Sequence, residues 1–474
     1  MKIKKGAIKL YVNPNAVITQ FLQLPGDSRV MNIIERVRKL TEDETKSLLE
    51  KVMRDFSKRH RNISRIFTDH FKRIKNRYAN ELLSFSEDKK LLLGAYFTKE
   101  YSIQSAALFN PSIVSHPDQN NLEEGEHRFI MSLRATGEGH ISSIVFQTGV
   151  ADAKGNVQLD KPSAYFTPLE KEEEYVYDKD FIKKRVAFFK GFNINILEIL
   201  PDNFTASSAL LAIQGKFKDD KSLNGSLEIL NHIFDTNYEL QSSSQLPINE
   251  KVIFPKANAE SMGMEDVRFV KFNDEENPCY YGTYTAYDGH RIKTQLIETK
   301  DFDVFKIRTL YGNAIADKGM ALFPEKINGK YVMISRQGGE KINIMFSDDL
   351  YVWDQFQTLM EPEYPWELVQ LGNCGSPIKT SRGWLLLTHG VGPLRTYVIS
   401  AILLDLHNPE IIVGRMNTPL IEADESEREG YVPNVVYTCG LLRNEDVLII
   451  PYAVSDSATR FATITINEIL NELT

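Results

Sequence analysis

Two adjacent carboxylates with a guanidinium two residues on, Glu265-Asp266-Val267-Arg268, stand between Gly263 and an apolar run reaching Val270. A carboxyl at the lip of a strand with a fixed cation beside it suits general acid catalysis. On its own such a pair is more often a surface ion pair, so the reading depends on what else the chain brings to the same place. Two further carboxylates lie in loop-like sequence: Glu367 in Trp366-Glu367, and Glu427 in Ser426-Glu-Arg-Glu-Gly430. A cleft with opposed carboxyls and aromatic walls is what glycoside cleavage needs. One acid protonates the leaving oxygen, and another carboxylate activates water, or phosphate takes its place as nucleophile. Asp266 is the candidate acid, Glu427 the first candidate base and Glu367 the second.

The elements that must position these groups fall into two parts. From about residue 29 to 85 the periodicity is helical: Val30, Ile33, Ile34, Val37 and Leu40 recur at helical spacing. Thr41 and Glu44 match a capping box ahead of Leu48, Leu49, Val52, Met53 and Phe56. Residues 1–90 therefore read as an N-terminal helical arm whose apolar stripes need a partner, which points to a homo-oligomer built through the arm. The basic run Lys58-Arg-His-Arg61 reads as a solvated helix face.

From residue 91 to 474 the chain is β-like and repeats. Five segments each give a strand, a polar turn and a second strand, and Tyr280, Tyr331 and Trp384 open successive units about 50 residues apart. That period predicts an all-β fold, a five-bladed propeller, interrupted by an insertion near 180–240 where Asp202 or Thr205 caps a helix. Inner turns of a propeller converge on one pocket. The polar residues at such positions are Asn110, Arg134, Asp266, Arg268, Arg291, Lys318, Arg336, His389 and Asp456, and Tyr287 closes the aromatic segment after Asp266.

Composition narrows the partners. The 474 residues are 42% hydrophobic and 25% charged with net charge −8, ordinary for a globular protein and a poor match to nucleic-acid binding. Cys279, Cys374 and Cys439 are odd in number and far apart, which suggests neither a disulfide framework nor a metal site. No run approaches the roughly 20 apolar residues of a membrane span, and the basic start lacks a signal-peptide core. The expectation is a cytoplasmic protein with no metal and no cofactor, acting on neither nucleic acid nor membrane.

Gly263-Met-Glu-Asp-Val-Arg268 resembles the Gly-x-Glu-Asp-Pro-Arg motif of glycoside hydrolase family 130, the β-mannoside phosphorylases and β-mannosidases. Phe109-Asn-Pro111, Asp317-Lys318 with 321–329, 383–390, 403–406, 427–436 and the turn at 452–456 resemble the same family in the same order. The resemblance implies a five-bladed propeller, an inverting mechanism and a manno-oligosaccharide or mannoside substrate. It makes Asp266 the general acid, acting in the phosphorylases through a mannose hydroxyl. Asn110, Arg134 and Asp456 would hold the sugar at the cleaved position, with Arg268, Tyr287 and His389 in the same substrate-binding set. Lys318, Arg336 and Arg291 would form a phosphate site.

Two positions depart from the pattern. Val267 replaces the usual proline, and Ser335 stands where the phosphorylases carry a histidine before Arg336. Loss of that donor weakens the anion site, so the reading is an inverting β-mannosidase that uses water. The alternative is a phosphorylase with inorganic phosphate as co-substrate, releasing α-mannose 1-phosphate. A five-bladed furanosidase and a catalytically silent glycan-binding propeller are the more distant rivals.

Overall fold

A computed structural model describes residues 3–217, 221–242, 245–274 and 278–473. These residues are mostly β, in several sheets. Their α-helices are confined to 27–96, to the insertion after residue 178 and to the C-terminal stretch.

Each of the five strand–turn–strand segments is an antiparallel hairpin. The pairs are His127–Thr136 with Ser142–Ala151, Cys279–Tyr287 with Ile292–Thr299, Tyr331–Ser335 with Ile342–Ser347, Gly383–Val391 with Tyr397–Leu404, and Val447–Val454 with Ala458–Thr465. A further strand flanks each hairpin on either side. In the last unit the outer strand is Lys4–Leu10, from the opposite end of the chain, pairing antiparallel with Ala458–Thr465. Gly383–Val391 is buried at every position, which is why its sequence runs apolar instead of alternating. Apolar side chains fill the space between neighbouring units, with Trp353 and Trp384 fully buried.

The stretch 1–90 begins with two strands rather than helices, Lys4–Leu10 and Val17–Phe21. The first, Lys-Lys-Gly-Ala-Ile-Lys-Leu, carries no clean strand period, and its pairing register shifts between Lys5 and Lys9. Four helices follow: α1 (Asp27–Lys39), α2 (Glu42–Phe56), α3 (Ile63–Lys75) and α4 (Glu87–Tyr96). The box at Thr41 and Glu44 caps α2. Helices α3 and α4 cross at Gly94, where a β-carbon would stand 1.9 Å from the Phe67 carbonyl oxygen. The arm is pinned to the β-structure by Arg61, whose Nε and Nη2 each lie 2.8 Å from a carboxylate oxygen of the fully buried Glu250.

The insertion has its own core, including Ile182, Leu197, Phe204, Ile213, Leu230 and Phe234. Thr205, not Asp202, caps its helix Ala206–Lys216. Residues 218–220 of this stretch lie outside the described residues.

Candidate active site

Two β-bulges build the centre of the site. The register of Ala107–Ser115 against His127–Thr136 shifts between Phe109 and Ser112, and that of Gly263–Phe272 against Cys279–Tyr287 shifts between Glu265 and Arg268. The residue inside each bulge sits in the left-handed region, Asn110 at φ 49° and Asp266 at φ 53°. Non-glycine residues pay energy there, and Asn and Asp tolerate it best. The bulges face each other: Asn110 Nδ2 donates to Asp266 Oδ1 at 2.7 Å. Arg134 straddles the paired carboxylates, Nη1 at 3.3 Å from Asp266 Oδ1 and Nη2 at 2.7 Å from Glu265 Oε1. Strain held in place by such a network is characteristic of a functional site.

Burial alone would raise the Asp266 carboxyl. The cations Arg134, Lys318 and Arg268 and the Asn110 amide outweigh it and hold Asp266 below the usual carboxylate range. Asp456 goes the other way. Burial first, then the charge of Asp266, push it up to about 7 against the pull of Arg134, Arg395 and Lys318. The two carboxyls thus divide, one ionised and one titrating near neutrality, as acid–base pairs do in active sites.

The raised Asp456 has a consequence for stability. Its contribution is fully present below the ordinary carboxyl value of 3.8 and is lost as the pH rises through about 7, where the folded group must ionise. The melting temperature should therefore fall between about pH 4 and about pH 7, and Asp456→Asn should flatten that fall. Circular-dichroism melts of the two proteins across this range check it. Parallel slopes would contradict the assignment.

Beside Asp266 lies a set of buried donors. Arg268 Nη1 donates to the Asp266 backbone oxygen at 3.2 Å and Nη2 to the Tyr437 hydroxyl at 2.6 Å. Arg336 Nη1 stands 3.1 Å from Nε2 of His389, a ring stacked on Tyr397 and met edge-on by Tyr437. Burial and the two arginines hold His389 well below its ordinary value, so the ring is neutral and accepts from Arg336. Gly372 packs beneath it, where a β-carbon would meet the ring at 2.2 Å. Arg336 Nε, Arg268 Nη2 and the Asn373 side-chain oxygen all lie within 3.8 Å of the point where a β-carbon on Gly319 would stand, and Gly319 has φ 88°. Nε of Arg268, Nε of Arg336 and Oδ1 of Asn373 are buried with no hydrogen-bond partner among the described residues. Lys318 is half-exposed, its Nζ 3.9 Å from Glu265. Two buried guanidinium groups near one point, with Arg336 Nε there unpartnered and Arg268 Nη2 held by Tyr437, suit binding of an oxyanion.

The remaining sequence candidates distribute as follows. Tyr287 is half-buried and its hydroxyl donates to the Gly289 carbonyl. Arg291 stands exposed on the 288–291 turn, its backbone N–H held by Asp288. Ser335 is fully buried and donates to Gln337 Oε1 at 2.8 Å. Glu367 is fully buried, accepting from the backbone N–H groups of Glu363 and Tyr364 and paired with Arg415. Glu427 is equally buried and accepts from Lys5, Tyr452 and Arg460. Neither glutamate has a hydrogen bond or ion pair to Asp266, Arg134 or Arg268 among these contacts. Sequence reading passed over Asn373 and Tyr437. For Asn373 the signal was the repeat phase, since Asn373-Cys-Gly375 and Thr438-Cys-Gly440 occupy matching places in successive units; Tyr437 stands one residue before the match.

Comparison with known proteins gives the following relatives. A family model described as β-1,4-mannooligosaccharide phosphorylase matches residues 230–474. A 1,2-β-oligomannan phosphorylase of Thermoanaerobacter sp. is 34% identical over 229 residues, 47% of this chain and 75% of that protein. A β-1,2-mannobiose phosphorylase of Listeria innocua serovar 6a is 33% identical over 232 residues, 47% of this chain and 63% of that protein. Among solved structures, a β-1,2-mannobiose phosphorylase from Listeria innocua in complex with β-1,2-mannobiose superposes with a TM-score of 0.48 at 23% identity, covering 79% of this chain and 93% of that one. The matched span, 230–474, includes Asp266, Arg336, His389 and Asp456, and on it the chain belongs to glycoside hydrolase family 130, as an enzyme of that family.

Proposed function

We propose that this enzyme is an inverting β-mannoside phosphorylase. It transfers a mannosyl group from a β-linked manno-oligosaccharide to inorganic phosphate and releases α-mannose 1-phosphate. The observation that carries the reading is the convergence of Arg268 and Arg336 beside Asp266, with buried nitrogens left unpartnered. The names of the relatives, all phosphorylases, support it. The hydrolytic expectation rested on Ser335. Arg336 nevertheless has an imidazole partner in His389 and a neighbour in Asn373, and phosphate as nucleophile needs no carboxylate base. Glu427 and Glu367 then hold structure instead of activating water.

In this mechanism Asn110, Arg134 and Asp456 hold the mannosyl unit, and phosphate sits against Arg268, Arg336 and Lys318. Asp266 delivers the proton to the glycosidic oxygen through a mannose hydroxyl. Steady-state cleavage of β-1,2- and β-1,4-mannobiose should rise with phosphate and saturate. Cleavage at the same rate in phosphate-free buffer would overturn the reading.

We further propose that residues 91–474 form a five-bladed propeller and catalytic domain. The five hairpins, each flanked by two strands, support this, with Lys4–Leu10 as the closing outer strand. The helical arm is the oligomer contact. No apolar residue of α2 is fully buried, and Leu48 and Phe56 are exposed along a groove of about 450 Å³. Leu48→Glu with Phe56→Glu should lower the mass in light scattering. An unchanged mass would remove α2 from the contact.

A further inference from the structure

The turn that carries Asp456 is strained over two consecutive residues, Ser455 at φ 46° and Asp456 at φ 49°. Such a turn persists only where its surroundings over-determine it. Here the loop at 424–435 wraps it closely. Ser455 N–H donates to the Val435 carbonyl at 2.7 Å, Val432 N–H donates to the Ser455 carbonyl at 3.0 Å, and the Ser455 hydroxyl donates to the Glu427 carbonyl at 2.6 Å. Gly430 passes so near that a β-carbon would stand 2.3 Å from the Ser457 hydroxyl.

The loop itself hangs on the Glu427 side chain. Oε1 accepts from the Tyr452 hydroxyl at 2.7 Å and from Arg460 Nη1 at 2.6 Å; Oε2 accepts from Lys5 Nζ at 2.5 Å and from the Asp424 backbone N–H at 3.1 Å. Tyr452 and Arg460 face each other across the hairpin whose turn is 455–457. Lys5 comes from the strand Lys4–Leu10, 422 residues distant in sequence. A carboxylate at 0% exposure with both oxygens engaged has no access for a water nucleophile. Its charge is tolerated only because two cations offset it, and removing one leaves an uncompensated buried charge.

We propose that Glu427 is a positioning residue for the mannosyl site, and that Lys5 makes the N-terminal strand part of that device: together they lock the loop at 424–435 around the Ser455–Asp456 turn. This rests on the assignment of Asp456 as a sugar-holding residue. Loss of the brace should let the turn relax and weaken sugar binding while leaving the phosphate groups on Arg268, Arg336 and Lys318 undisturbed.

The test uses the full chain with Lys5→Met, Glu427→Gln, the double variant and Lys5→Arg. Two readouts are taken, steady-state kinetics with β-mannobiose and phosphate varied separately, and amide hydrogen exchange over residues 453–458. Lys5→Met and Glu427→Gln should each raise KM for the mannoside by roughly 10- to 100-fold, the scale of a misplaced positioning group, with KM for phosphate within about twofold. Exchange at 453–458 should accelerate in both. The double variant should be no worse than the poorer single, because the two groups act as one unit. Lys5→Arg should restore much of the loss.

Wild-type kinetics and wild-type exchange in Lys5→Met would overturn the proposal. So would a Glu427→Gln variant that loses turnover with mannoside KM and exchange unchanged, the behaviour of a catalytic base. If Lys5→Met fails to fold, Lys5→Gln and the exchange measurement on Lys5→Arg replace it, and wild-type exchange in Lys5→Gln is again the contrary result. A wild-type protein with no activity on any β-mannoside would sink the proposed function, but the exchange arm would still decide the brace.

Discussion

Asp266→Asn is expected to lower turnover on a β-linked mannobiose by roughly two to four orders of magnitude, the usual worth of a general acid. The amide preserves the shape and the bond from Asn110, and it removes the group that gives and takes the proton. The free enzyme nevertheless holds Asp266 ionised, through Arg134, Lys318 and Arg268. A carboxylate cannot donate, so the proton must arrive with substrate. Phosphate supplies the reason. As a dianion among Arg268, Arg336 and Lys318 it neutralises two of the charges that keep Asp266 low, and its own charge raises the carboxyl further. Phosphate binding should therefore take up protons. Calorimetric titrations in buffers of different ionisation enthalpy measure that uptake, which should be lost in Asp266→Asn. A variant with near-normal turnover would remove Asp266 from the chemistry.

Arg336→Met is the second large effect, and it should fall on phosphate. One charge-assisted contact contributes about 1.5–3 kcal/mol, so KM for phosphate should rise by about 10- to 100-fold with KM for the mannoside little changed. The substitution also leaves the His389 ring without the donor at its Nε2. If the loss appeared in the mannoside KM and phosphate KM stayed as it was, Arg336 would belong to the sugar subsite.

Much of this site was legible in the sequence, for identifiable reasons. Strand alternation and polar turns located all five hairpins, because each hairpin is a local structure whose period is written in ten or so residues. Asp266 stood out as a carboxylate beside Arg268, and Asn110 and Arg134 as polar residues at inner turns within the family resemblance; the bulges at positive φ that hold Asn110 and Asp266 were not read. Long-range pairing could not be read. Glu427 and Glu367 looked like free loop carboxylates, yet each is fully buried on a cation far away in the chain, Lys5 for one and Arg415 for the other. Lys4–Leu10 reads as part of the helical arm because its partner strand, Ala458–Thr465, is at the other end of the sequence. Ser335 shows the same limit. Inspection of its neighbours in sequence records the missing histidine, while the imidazole beside Arg336 comes from a different unit, at His389.

The identity of the nucleophile, phosphate or water, separates the two activities. The most direct measurement is phosphorus and proton NMR of the wild-type enzyme acting on β-1,2- and β-1,4-mannobiose in phosphate buffer and in phosphate-free buffer. This account predicts α-mannose 1-phosphate growing in step with the released reducing-end mannose, and no cleavage when phosphate is withheld. Free α-mannose from the non-reducing end, formed at the same rate with and without phosphate and with no sugar phosphate, would contradict it.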